Sequence, residues 1–180
     1  MAAINKRDDV LKKIMELYPL LSKEDYKIAI ELHKLAIEWD LKIGINIRSN
    51  AAKTKTHYDI QYSTKKPAVR MVFLFKICVI EGEANPTFQV KLKLLNIDKY
   101  RPIVEACPDN IKNLITFGKE CDICNTSCTK QMVFTLDGIP YNICTFGGGI
   151  FESLSSDEWT LMQNLIIEEY KAQANLDFLL

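Results

Sequence analysis

The chain has 180 residues, of which 48% are hydrophobic and 26% charged, with 23 acidic side chains balancing 23 basic ones. That length fits one globular domain able to bury enough apolar surface to fold without covalent staples. The balanced charge gives no case for a partner recruited by bulk charge, whether nucleic acid or an anionic membrane. The longest apolar run, MVFLF at 71–75, falls far short of the ~20 residues of a membrane helix.

The opening stretch MAAINKRDDVLKK lacks the apolar core of a secretory leader, so a cytoplasmic location is expected. Residues 8–18 read as a short helix ending before Pro19. A second helix starts at Ser22, where Ser22 and Asp25 approximate a capping box. In it Ile28, Leu32, Leu35 and Trp39 recur at helical spacing and predict one apolar face. His33, with no second ligand-type residue near it in sequence, reads as a half-exposed surface histidine.

At LKIGINIRS the period changes from helical to alternating, which predicts a strand. Further strands are expected at 57–63, 68–80 and 88–95, separated by the turn-rich STKKP and EGEANP. Short connections between consecutive strands favour an antiparallel meander. Cys78 lies in the most apolar of these strands and reads as an inert core residue.

Two short helices follow, in DKYRPIVEAC and DNIKNLITF, the latter started by Pro108–Asp109 and stopped by Gly118. Cys107, at their junction, reads as packing. A hairpin comes next, then the glycines at 147–149, read as a bend or bulge allowing close approach to that hairpin. The last helix starts at Ser155 with Glu158 completing a capping box, and Trp159, Leu161, Leu165 and Ile166 supply its apolar face. The expected fold is therefore α+β: a single domain, 1–180, with an antiparallel sheet of about five or six strands and helices packed on one face. Within it, residues 119–150 form a cysteine-bearing hairpin module.

That module carries the clearest chemistry. CDICNTSC at 121–128 holds three cysteines, and a fourth follows at Cys144. Asp137–Gly138 lies between two alternating apolar runs, a strong signal for a two-residue hairpin turn. Such a turn sets Leu136 opposite Ile139, Phe134 opposite Tyr141 and Gln131 opposite Cys144. Cys128 then lies three residues beyond the partner of Cys144, and a slight curl brings Cys121 and Cys124 to the same end. A C-x2-C-x3-C-x15-C spacing thereby becomes a candidate tetrahedral zinc site, Cys121, Cys124, Cys128 and Cys144, with sulfurs at about 2.3 Å from the ion. Lys119 and Lys130 bracket the triplet and offset part of the negative charge of four thiolates. An iron–sulfur cluster is the main alternative use of these thiols; disulfide, redox-switch or unliganded cysteines are the others.

Residues 42–70 hold seven basic side chains against Asp59 alone, whereas the C-terminal segment is acidic. Lys53, Lys55, His57, Tyr58, Tyr62 and Arg70 are candidate ligand-binding residues, for an anion or for single-stranded nucleic acid stacked on the two tyrosines. The plainer account is that strand ends and loops are simply solvated, and nucleic acid is the disfavoured partner. No serine–histidine–acid arrangement, phosphate-binding loop or dinucleotide fingerprint is present.

The segments FQVKLKLLNIDKY, IKNLITFGKECDICNTSC and FTLDGIPYNIC resemble a loose group of uncharacterised small bacterial proteins of Firmicute type. These share a cysteine triplet and a C-terminal hairpin bearing a fourth cysteine, and the resemblance spans roughly residues 22–170. It implies a bacterial cytosolic origin and no particular activity. The order of helix, antiparallel sheet and helices is more distantly similar to frataxin-like domains, although no acidic metal motif of theirs matches here. The expected function is a non-enzymatic protein with a structural zinc ion and a small-molecule or protein-binding role. The alternatives are an iron–sulfur or thiol redox protein and an anion or nucleic-acid binder acting through residues 42–70.

Overall fold

A computed structural model describes residues 2–4, 7–65, 71–116, 131–144, 149–152 and 154–177. The chain gathers into two compact units, residues 1–90 and 91–180. Its class is α+β, built on an antiparallel sheet.

In the first unit, strand β1 (Ala2–Ile4) precedes helix α1 (Arg7–Leu17), a 3₁₀ turn (Tyr18–Leu20) and helix α2 (Lys23–Glu38). Strands β2 (Lys42–Ser49), β3 (Lys55–Ser63), β4 (Met71–Ile80) and β5 (Thr87–Leu92) follow. The strands lie side by side in sequence order, and the first four pair antiparallel. Short turns at 50–54 and 81–86 support this meander, the latter within EGEANP as expected, while STKKP runs into residues outside those described. Helix α2 starts where expected: the Asp25 N–H donates to Ser22 Oγ at 3.1 Å. It ends at Glu38, and Asp40, just past the cap residue Trp39, is held at φ 52°. There the Asp40 N–H reaches Ile37 O at 3.0 Å and the Leu41 N–H reaches Ala36 O at 2.8 Å, a cap normally built on glycine.

Period-two alternation divides the sheet. One face carries Ile45, Ile60, Tyr62, Phe73, Phe75 and Phe88, all buried. The register sets Tyr62 opposite Phe73 and Ile60 opposite Phe75, and the Tyr62 and Phe73 rings stack with centroids 4.4 Å apart. Aromatic pairs of this kind contribute ~0.5–1.5 kcal/mol beyond their area burial. Tyr18 and His33 approach this face from the 3₁₀ turn and from α2. His33 is half-exposed, as expected, yet its ring is also tied to this face. Its Nδ1 lies 2.9 Å from the Tyr62 hydroxyl, which is 3.0 Å from the Tyr18 hydroxyl. Burial pushes both phenols above their ordinary range and pulls the imidazole below its own.

The second unit opens with the end of β5 and contains a 3₁₀ turn (Ile97–Lys99), helices α3 (Arg101–Glu105) and α4 (Asp109–Thr116), strands β6 (Gln131–Leu136), β7 (Ile139–Cys144) and β8 (Ile150–Phe151), and helix α5 (Ser156–Asp177). The expected capping box is present on α5: the Ser155 N–H donates to Glu158 Oε2 at 2.8 Å, and the Glu158 N–H to Ser155 Oγ at 3.4 Å. Glu169, read in sequence as one of several acidic residues near the end, is only 1% exposed. Its carboxylate accepts from the Asn96 N–H (3.0 Å), Asn96 Nδ2 (2.7 Å), the Tyr100 hydroxyl (2.6 Å) and Gln173 Nε2 (3.0 Å). Four donors replace the water a buried carboxylate loses.

Gly149 makes its close approach to β5 rather than to the hairpin. Its φ is +69°, a Cβ there would sit 2.7 Å from Leu92 O, and its carbonyl accepts the Leu92 N–H at 2.8 Å. No helix among the described residues is long and apolar enough to cross a membrane.

Candidate functional site

The hairpin forms in the register its turn dictates. Asp137 (φ 49°) and Gly138 (φ 78°) are both left-handed, as a type I′ turn requires. Leu136 pairs with Ile139, Phe134 with Tyr141 and Gln131 with Cys144. The buried face carries Phe134, Leu136 and Ile143, while Val133 on the other face is 70% exposed. The turn is tied down by two side chains from the preceding helices. Lys112 Nζ lies 2.9 Å from Asp137 Oδ2, and Glu105 Oε1 accepts the Asp137 N–H at 3.3 Å. The Asp137 contact raises the Lys112 pKa. Cys144 is the last residue of β7, at the opposite end from this clamp. Cys121, Cys124 and Cys128 lie outside the described residues, and among those described no group of three or more His, Cys, Asp or Glu is placed to hold a metal.

A second constellation lies on the first unit's sheet, on the face opposite the aromatic core. The register aligns Arg48, His57 and Cys78 in one cross-strand row, and Asn46, Asp59 and Lys76 in the next. Here a partly open cavity of about 430 Å³ is lined by Arg48, Lys55, His57 and Asp59. Strand β4 adds Lys76, Cys78 and Ile80, and β5 adds Thr87 and Gln89. Asp59 stands opposite Lys76 in register yet ion-pairs with Arg48 on the other side. His57 Nε2 is 4.0 Å from Cys78 Sγ, a cross-strand neighbour contact set by pairing.

No family model matches this chain. Neither does any curated protein or solved structure. The chemistry therefore has to be read from the residues themselves.

Of the candidate ligand-binding residues, the structure brings Lys55 and His57 together on the cavity wall. Tyr62 is fully buried on the aromatic face. Tyr58, on the same side, lies beneath the Lys13 ammonium, 5.5 Å from its ring centroid. The stacking role considered for the two tyrosines is therefore corrected: successive residues of β3 point to opposite faces, so an odd-numbered cation and an even-numbered ring never share a surface. Lys53 sits at the exposed β2–β3 turn with φ 58° and does not line the cavity. Arg70 lies outside the described residues. Arg48 belongs to the basic segment 42–70, whereas Lys76 and Gln89 fall outside it and were missed from sequence, although a lysine inside the apolar MVFLFKICVI run is a visible signal of a wet strand face. Cys78 is buried, as expected, but borders the cavity rather than the aromatic core. Cys107 is packed as expected: it is 4% exposed, its Sγ donates to Ile103 O at 3.3 Å, and burial pushes its thiol pKa up.

Proposed function

We propose that this chain is a non-enzymatic cytoplasmic binding protein whose hairpin module is braced by a structural zinc ion on Cys121, Cys124, Cys128 and Cys144. The observation that carries the reading is the β6–β7 register, with Cys144 opposite Gln131. Only three sequence positions separate Cys128 from that partner of Cys144. Hairpin pairing thus converts a fifteen-residue gap between the last two cysteines into a short distance along the chain. Four thiolates fill a tetrahedral shell and leave no position for a reactive water, so the ion's role is structural rather than hydrolytic. Such a site would secure the open end of a hairpin whose turn is already held by Lys112 and Glu105.

The test is metal analysis of full-length protein purified aerobically and anaerobically, beside a Cys144→Ser variant. Colourless protein with about one zinc per chain, largely lost in the variant, supports the reading. A brown protein absorbing near ~400 nm replaces it with an iron–sulfur cluster on the same cysteines. Metal-free protein with freely titrating thiols refutes both.

A further inference from the structure

We propose that the cavity on the polar face of the first unit's sheet binds a small phosphorylated compound through Lys55 and Lys76. This does not depend on any metal at the hairpin, since every residue involved lies between Arg48 and Gln89. The argument begins with charge. Three cationic side chains and one carboxylate line the cavity, and the carboxylate, Asp59, is engaged by Arg48. The ammonium groups of Lys55 and Lys76 have no ion-pair partner among the described residues. Two positive charges thus face one concavity with no matching anions, the complement of a dianion.

Shape and lining narrow the ligand class. About 430 Å³ falls within the ~300–1,000 Å³ typical of small-molecule sites. Thr87, Gln89 and His57 offer hydrogen-bonding groups around the rim, while Cys78 and Ile80 give part of the wall an apolar surface. That combination suits a charged group attached to a compact organic body. A single-stranded nucleic acid would need broad aromatic platforms beside the cations, but no phenylalanine, tyrosine or tryptophan lines the cavity and the tyrosines of β3 are on the other face. Antiparallel pairing holds the contributing strands in fixed register, so the two ammonium groups are presented on rigid backbone.

The test uses full-length protein in two-dimensional amide NMR, titrated with inorganic phosphate, with glucose 6-phosphate and with an oligothymidine. The expected result is saturable shifts confined to β3, β4 and β5 around His57, Cys78 and Gln89 with both phosphate compounds, tighter for the organic one. Lys55→Gln and Lys76→Gln should each weaken binding about fivefold, as loss of one close charge contact predicts. Lys53→Gln, at the nearby turn but off the cavity, should leave affinity unchanged. An unaltered melting temperature in each variant shows that folding is intact. The proposal is overturned if no saturable shifts occur, or if Lys53→Gln weakens binding as much as Lys76→Gln. It is equally overturned if the oligonucleotide binds more tightly than the small phosphates and spreads its shifts beyond the cavity.

Discussion

The buried Glu169 carboxylate offers a quantitative test of the second unit. In Glu169→Ala the Asn96 N–H, the Asn96 amide, the Tyr100 hydroxyl and the Gln173 amide all lose their acceptor. An orphaned buried donor costs ~1–3 kcal/mol, and water entering the vacated space recovers part of that, so the net loss should be ~3–5 kcal/mol. At ~2–4 °C per kcal/mol for a protein of this size, the melting temperature should fall by roughly 6–20 °C. Glu169→Gln discriminates acceptor geometry from bulk. Its oxygen must stay toward the Asn96 N–H and Tyr100 hydroxyl, because a backbone N–H cannot be inverted. Its amide nitrogen then faces the side chains of Asn96 and Gln173, which can turn to present oxygens. Gln173 Oε1 is itself a buried atom without a hydrogen-bond partner among the described residues, so that rotation is cheap and the variant should lose only ~1–2 kcal/mol. Thermal and urea unfolding followed by circular dichroism give both values. Equal losses in the two variants, or less than ~1 kcal/mol for the alanine, would refute this account of the network.

Burial lowers the His33 pKa below its ordinary value of 6.5, so below that pH the unfolded chain binds more protons than the folded one. Stability should therefore fall as pH drops from 6.5 toward the folded-state pKa, and His33→Gln should flatten that slope in urea titrations across the acid range. Gly149→Ala meets both a left-handed φ and the Leu92 carbonyl; it should cost at least ~2 kcal/mol in a urea midpoint measurement. If the hairpin holds zinc, chelation should speed amide hydrogen exchange across Gln131–Cys144 while β2–β4 keep their protection; uniform protection in metal-free protein would count against the site.

What could be read from sequence followed from local physics. Asp137–Gly138 fixes its own turn type, and the turn fixes each pairing down to Gln131 and Cys144, so that register needed no distant information. Ser22 and Ser155 announced their helices for the same reason: the capping partner stands three residues away. The meander, too, was set by short connections. What escaped depends on contacts remote in the chain. Glu169 looks like its acidic neighbours until Asn96 and Tyr100, some seventy positions earlier, arrive beside it. His33 gains its partners only when β3 packs beneath α2. Strand β1, at three residues, is too short to show any period. The tyrosines of β3 are a different case, since alternation already separated Tyr58 and Tyr62 from Lys55 and His57; a basic segment read as one patch was in fact two surfaces.

Strand β1 also has a bearing on how the protein behaves in concentrated solution. It pairs with Ile45–Ile47 of β2 and occupies a rim that would otherwise present a row of unsatisfied amides and carbonyls. Peeling it away, by truncation or by a bulky fusion at the amino end, would leave that rim as a template for a strand from another molecule. Self-association should then appear well before the core itself comes apart.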